Sequence, residues 1–335
     1  MKLLITGGAG FLGARLARTL LARDTLAGEY IDAIMLADQF APPPDLLADP
    51  RVSARTGALL DQCAALGGEH FDGVFHLASA VSGECELDFD LGMRSNLDST
   101  RALLDALRAA GNVPRFVFSS SVAVFGPDPG RPLPEIVADD TLPAPQTSYG
   151  AQKLMCEHLI ADCTRKGFID GRAARLMTVT VRPGKPNAAA SSFFSGIIRE
   201  PLAGVEAVCP VGEEVSHPVS SPARTVEGLI AVYEAPREAL GGRLALNLPA
   251  LNVTVREMLA ALETVAGAEV AARVRFQRDE RIAGIVAHWP QGASAARASR
   301  LGLAPEASFA DIVRQYIADC RAQPNADVTL KGLDS

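Results

Sequence analysis

Lys2-Leu3-Leu4-Ile5-Thr6-Gly7-Gly8-Ala9-Gly10-Phe11-Leu12-Gly13 is the stretch on which the reading of this chain turns. Lys2 to Thr6 is a short apolar run closed by glycine, the pattern of a buried strand. Gly10 to Arg23 follows with Leu12, Leu16 and Leu20 on one helical face. The glycines between them are spaced G-x-x-G-x-x-G. Gly7 permits a tight turn. Gly10 lets a pyrophosphate approach the free N–H groups of a helix N-terminus, which favours anions. Gly13 lets the helix pack closely on the strand. With Phe11 and Leu12 in the same turn, the stretch predicts dinucleotide binding.

The pattern continues outward. Ile31 to Ala37 reads as a second strand ending at Asp38. A carboxylate there accepts from the adenosine ribose hydroxyls and repels a 2′-phosphate. Neither Gln39 nor Phe40 is an arginine able to receive such a phosphate, so NAD is predicted over NADP. Arg51–Arg55, Asp72–Leu77, Arg115–Phe118 and Leu176–Val181 read as further strands. Helices are predicted over Asn96–Ala110 and Ser148–Arg165, and a loop over Gly126–Gln146. Strand alternating with helix implies an α/β fold, a Rossmann-type doubly wound parallel sheet. Beyond Arg182, prolines at 183, 186, 201, 210, 218 and 222 break the rhythm. Residues 1–182 are expected to form the cofactor domain. Residues 183–330 are expected to form a smaller, interleaved substrate lobe. One strand near Leu244–Leu248 is expected to return to the main sheet, Val255–Ala266 and Phe309–Ala322 are helical, and the last ten or so residues form a frayed tail.

Composition narrows the function. The 335 residues are 48% hydrophobic and 21% charged, which excludes a disordered or fibrous chain. The net charge of −7 gives no basic field for nucleic acid or anionic lipid. Six cysteines form no C-x-x-C pair, and scattered thiols fit a reducing compartment. The N-terminal apolar run is too short for a signal segment, and no stretch suits a membrane span. A cytoplasmic protein without a metal centre is expected, since no His/Asp/Glu cluster has metal spacing.

Tyr149 and Lys153 stand at i, i+4 on one predicted helix and share a face. A phenol is a poor base near neutrality, but a neighbouring ammonium favours its ionised form. Tyr149 could then take a hydroxyl proton as a hydride leaves carbon. Lys153 could also hold the nicotinamide ribose. Ser121, just past the fifth strand, is placed to hydrogen-bond the same hydroxyl. These three are the predicted catalytic set.

These pieces resemble the extended short-chain dehydrogenase/reductase family, of the NAD-dependent epimerase/dehydratase type. Matching segments are Gly7–Gly13, Phe75-His76-Leu77-Ala78-Ser79, Asn96, Phe118-Ser119-Ser120-Ser121 and Tyr149-Gly150-Ala151-Gln152-Lys153. The resemblance covers roughly the first 185 residues. It implies that Leu77, Ala78, Ser79 and Asn96 belong to the NAD site and that Pro183 touches the nicotinamide end. Family members often carry an Asp near the adenine after the third strand. Here Gly57-Ala58-Leu59 offers none, so Ala58 and Leu59 contribute backbone amides.

The segment from Arg182 to Phe193, with Gly196 to Pro201, is similar to the branch of that family acting on a small sugar acid, D-erythronate. The implied reaction oxidises its 2-hydroxyl with NAD. Lys185, Asn187 and Ser191, with Ser79 and Ser82 opposite, are the expected substrate contacts beside Ser121 and Tyr149. Arg199 reads as a surface charge, His217 as structural and His76 as a satisfied core histidine. Alternatives are a nucleotide-sugar 4-epimerase on the same scaffold and a non-catalytic NAD-binding regulatory protein. The helices at 96–110 and 148–165 resemble the pair forming a two-fold interface in this family. With Leu154, Met155, Leu159 and Cys163 as apolar surface, they imply a homodimer.

Overall fold

The computed structural model describes residues 1–184 and 190–333. Its centre is a sheet of β1 (Lys2–Thr6), β2 (Ala33–Asp38), β3 (Val52–Thr56), β4 (Gly73–His76), β5 (Arg115–Ser121), β6 (Asp170–Leu176) and β7 (Leu246–Asn247). The order across it is β7-β6-β5-β4-β1-β2-β3, and every neighbouring pair is parallel. The chain winds one way from β1 to β3 and the other way from β4 onward. Such a reversal opens a crevice at the carboxyl ends of β1 and β4, where ligands of open α/β sheets bind.

The helices that matter are α1 (Phe11–Arg23), α2 (Leu59–Leu66), α3 (Ser99–Ala110), α4 (Ser148–Arg165), α5 (Ser192–Leu202), α6 (Pro222–Glu234), α7 (Val255–Ala266), α8 (Glu280–Val286) and α9 (Phe309–Arg321). Alternation along β1 shows why both sheet faces are covered. Leu3 and Ile5 pack with Leu16 and Leu20 of α1 and with Leu229 and Ile230 of α6. Leu4 points the other way, into a core with Leu103 and Leu107 of α3 and Ile160 of α4. A separate core joins Phe194 and Ile197 of α5, Met258 and Leu262 of α7, and Ile312 and Val313 of α9.

The sixth strand differs from the one expected at Leu176–Val181. It runs Asp170–Leu176, and Thr178–Val179 instead pairs with Ser216–Ser220 in a three-stranded sheet completed by Leu251–Thr254. Two buried arginines disguise β6 as a polar segment. Arg172 Nη1 donates to the carbonyls of Val232, Tyr233 and Ala235 at 2.7, 2.5 and 2.7 Å, satisfying the C-terminus of α6. Arg175 pairs with Glu157 of α4. Two other expectations are corrected. The Gly126–Gln146 loop contains Ile136–Val137, which pairs with Gly292–Ala293. The tail is packed as far as Leu333: Leu330 is buried, and Leu333 rests on the α5–α7–α9 core.

Candidate active site

The glycine turn begins the site. Gly7 has φ +71°, which L side chains rarely adopt, and its N–H donates to the Ala37 carbonyl at 2.8 Å. A Cβ on Gly13 would lie 2.1 Å from the Gly7 carbonyl oxygen, so the close packing of α1 on the turn requires glycine. Gly10 caps α1 without a side-chain hydrogen bond, and the first turn of α1 carries no acidic residue. Its leading N–H groups are therefore available to an anion. Asp38 closes this end. Its Oδ2 accepts from the Ala9 N–H at 2.9 Å and its Oδ1 from the Phe40 N–H at 3.0 Å. Two bonds use only part of a carboxylate's accepting capacity, leaving room for ribose hydroxyls. These residues fit a dinucleotide.

The cleft that follows encloses about 1790 Å³. Single small-molecule sites span roughly 300–1000 Å³, so it has room for a dinucleotide and a second ligand. Gly7, Gly10, Phe11, Leu12, Gly13, Asp38, Ala58, Leu59, Leu77, Ala78 and Ser79 all line it. So do Ser82, Ser121, Tyr149, Lys153 and Ser191.

Three consecutive serines at the end of β5 meet one face of α4. Lys153 is buried, and its Nζ donates to the Ser119 carbonyl at 2.8 Å. The same ammonium lies 4.7 Å from the Phe118 ring centroid and 5.5 Å from that of Tyr149. One helical turn on, Glu157 Oε1 accepts from Ser120 Oγ at 2.5 Å and from Arg175 Nε at 2.9 Å. Its Oε2 accepts from Arg175 Nη2 at 2.8 Å. Ser120 and Arg175 are register partners on β5 and β6, so one carboxylate clamps α4 across both strands. Ser121 Oγ accepts from the Ala123 N–H at 3.1 Å, which orients the hydroxyl at the cleft wall. Gly150 brings the start of α4 against this loop: a Cβ there would lie 2.1 Å from the Ala123 carbonyl oxygen.

Several expected residues are placed differently. Asn96 is buried and does not line the cleft. Its Oδ1 accepts from Ser79 Oγ at 2.9 Å and from the Ala80 N–H at 2.7 Å, while its Nδ2 donates to Gln152 Oε1 at 2.7 Å. It holds the loop after β4 in shape instead of facing a ligand. Pro183 is exposed and is not among the residues lining the cleft, although Arg182 beside it is. Lys185 and Asn187 lie outside the described residues. Arg199 is buried: it pairs with Glu200, and its Nη1 donates to the Arg182 carbonyl at 2.9 Å. That corrects the surface reading.

His76 and His217 are both satisfied internally. His76 bridges Thr6 Oγ1 at 2.6 Å and Thr100 Oγ1 at 2.8 Å, and burial drives its pKa down to about 3. His217 Nδ1 faces the Pro290 carbonyl oxygen at 3.0 Å and therefore carries the proton. Its Nε2 accepts from Thr178 Oγ1 at 2.7 Å, and burial lowers its pKa to about 4. Among the described residues, no group of three or more His, Cys, Asp or Glu is placed to hold a metal ion.

Arg182, which the sequence reading treats only as the domain boundary and the start of the sugar-acid segment, lines the cleft with Tyr149. Its Nε donates to the Val179 carbonyl at 2.9 Å and its Nη2 to Ser191 Oγ at 3.3 Å. Burial pushes its guanidinium below the ordinary range, and negative charge on Tyr149 would push it back up. An arginine closing an apolar run and followed by proline was the available signal. The far wall adds Arg281, His288 and Trp289.

Residues 3–215 match the NAD dependent epimerase/dehydratase family. The chain belongs to that family. A D-erythronate dehydrogenase of Cupriavidus necator is 50% identical over 325 residues, covering 95% of this chain and 98% of that protein. One from Haemophilus influenzae is 44% identical over 323 residues, covering 95% and 99%. A solved structure from Agrobacterium tumefaciens, described as a nucleoside-diphosphate-sugar epimerase, superposes with a TM-score of 0.90. It is 43% identical and the match covers 95% of this chain and 94% of that one. Family and relatives agree with the sequence reading of an NAD-dependent dehydrogenase on a Rossmann-like fold. Among the described residues, no helix is long and apolar enough to cross a membrane.

Proposed function

We propose that this enzyme oxidises D-erythronate, or a closely similar four-carbon sugar acid, at its 2-hydroxyl with NAD. The observation that carries the reading is the meeting of Ser121, Tyr149, Lys153 and Arg182 in the cleft that begins at the glycine turn. NAD, when bound, supplies the hydride acceptor. The α1 N-terminus and Asp38 hold its pyrophosphate and adenosine ribose, and Lys153 holds the nicotinamide ribose.

Ser121 hydrogen-bonds the reacting hydroxyl. Tyr149 takes its proton as C2 loses a hydride, so the acid leaves as the 2-oxo acid. The Lys153 ammonium favours negative charge on the phenol oxygen during that transfer. The substrate carboxylate is bonded directly to C2, so its anchor must stand beside Tyr149. Arg182 meets that requirement, and a guanidinium binds a carboxylate through charge-assisted hydrogen bonds. Ser79, Ser82 and Ser191 supply partners for the remaining hydroxyls. The lobe around α5, α7 and α9 is the substrate lobe, drawn from within residues 183–330, while α6 and β7 of that stretch return to the cofactor sheet built mainly from residues 1–182.

The Agrobacterium protein's description favours a second reading, sugar-nucleotide epimerisation. The two differ in net redox change. NADH accumulating with D-erythronate supports the dehydrogenase. No NADH with any four-carbon sugar acid, alongside conversion of a UDP-sugar, supports the epimerase. We further propose a cytoplasmic homodimer formed through α3 and α4. Met155 is 41% exposed there, although Leu159 and Cys163 rest partly on the sheet core. Native mass spectrometry tests the dimer.

A further inference from the structure

One face of α8 looks into the cleft. Arg281, Gly284 and Ile285 line it, and so does His288 in the turn after the helix, a spacing of i, i+3, i+4 and i+7. Ile282, Ala283 and Val286, on the other face, pack against the α5–α7–α9 core. Arg281 is exposed and makes no hydrogen bond or ion pair to a described residue. Glu280, at the start of the helix, is engaged: its Oε1 accepts from Arg278 Nε at 2.8 Å. His288 Nδ1 lies 2.8 Å from the Gly284 carbonyl oxygen and therefore carries the proton. In the neutral ring its Nε2 is left as an acceptor. Gly284 stands between Arg281 and His288, and a Cβ there would meet nothing within 4 Å. Neither its backbone nor its packing requires glycine, and alanine is the better helix former. The helix forgoes stability for open space on the cleft side.

Contacts link this face to the arginine beside Tyr149. The Trp289 ring lies 5.3 Å from that of His217, whose Nε2 accepts from Thr178 Oγ1. The next residue, Val179, receives Arg182 Nε on its carbonyl. We infer that this face of α8 is the specificity wall for the distal end of the sugar acid, its terminal hydroxymethyl group seated over Gly284 between Arg281 and His288. This rests on the sugar-acid reading of the cleft and adds to it the residues that select the far end. With the carboxylate on Arg182 and C2 at Tyr149, C4 is the end left to reach the opposite wall. A hydroxyl both donates and accepts. Arg281 offers only donors and His288 Nε2 an acceptor, so together they match it in both roles. A serine on the near wall uses only part of that capacity. An aliphatic end would leave both side chains without a partner.

The test compares kcat/KM of the full-length enzyme for D-erythronate and for 4-deoxy-D-erythronate, which keeps the carboxylate and the 2- and 3-hydroxyls. The wild type should favour D-erythronate about tenfold or more, because a site built to bond a hydroxyl rejects the analogue lacking it. Arg281→Met and His288→Phe should each bring that ratio toward one, with NADH affinity unchanged. Gly284→Ala should raise the thermal midpoint, since the helix gains, and yet raise KM for D-erythronate by roughly tenfold as the added methyl fills the seat. A glycine with only a structural role would instead lower the midpoint on substitution and leave the substrate ratio as in the wild type. Equal kcat/KM for the two acids in the wild type would overturn the inference. So would the wild-type ratio kept in both Arg281→Met and His288→Phe, or an unchanged KM in Gly284→Ala. Each of those outcomes leaves oxidation of D-erythronate itself standing. An enzyme that oxidises neither acid would refute the sugar-acid reading, and this inference with it.

Discussion

Lys153 Nζ donates to the carbonyl oxygen of Ser119 at 2.8 Å, joining groups 34 residues apart in sequence. The bond ties the face of α4 that carries Tyr149 to β5, two residues before Ser121. Lys153→Met removes this tie together with the charge beside Tyr149. Turnover should fall by roughly 100-fold or more, the scale of lost acid–base assistance. NADH should also bind more weakly in a fluorescence titration. Wild-type turnover in Lys153→Met would remove the lysine from the reaction.

The proposed role of Arg182 on the substrate carboxylate can be told apart from cofactor binding. Arg182→Met should raise KM for D-erythronate roughly tenfold to hundredfold, the scale of a lost charge-assisted contact. Arg182→Lys should recover part of the loss, and the NADH dissociation constant should not move in either variant. A KM unchanged by Arg182→Met would place the carboxylate elsewhere.

Asp38, the proposed acceptor for the adenosine ribose, has each carboxylate oxygen held by a backbone amide, of Ala9 and of Phe40. Asp38→Ala removes the acceptors and the repulsion toward a 2′-phosphate. The ratio of kcat/KM for NADP to that for NAD should rise. A ratio that stays at the wild-type value would show that Asp38 only shapes the turn.

Stability should depend on pH through His76 and His217. Burial lowers their pKa values to about 3 and about 4, against 6.5 in the unfolded chain. Below about pH 6.5 the unfolded state therefore binds protons that the folded state refuses. Stability is fully present above that value and falls as the pH drops toward 4. Each histidine should contribute on the order of 1 kcal/mol per pH unit across that window. Denaturant midpoints measured from pH 7 to pH 4.5 check this. His217→Gln should flatten the slope, and an unchanged slope would show that His217 does not titrate on unfolding.

The parts legible in sequence were those with local causes. The turn after β1 needs glycine for its own geometry, and α4 spans Ser148–Arg165 as expected because Thr147 caps it through the Gly150 N–H. What escaped depends on distant partners. β6 was displaced because Arg172 and Arg175 make a buried strand look polar, and their partners lie on α6 and α4. Arg199 looked like a surface charge because nothing nearby in sequence reveals the Arg182 carbonyl it satisfies. Asn96 was assigned to the ligand for lack of any local sign that Ser79, Ala80 and Gln152 would engage its amide.

The most direct measurement follows the hydride. D-Erythronate carrying deuterium at C2 is mixed with enzyme and NAD, and both products are examined by mass spectrometry. Net oxidation predicts deuterium in the reduced nicotinamide and an unlabelled 2-oxo acid, with neither formed by Tyr149→Phe even though it still binds NADH. Deuterium that remains in the sugar acid, with no labelled nucleotide released by the wild-type enzyme, would contradict the account.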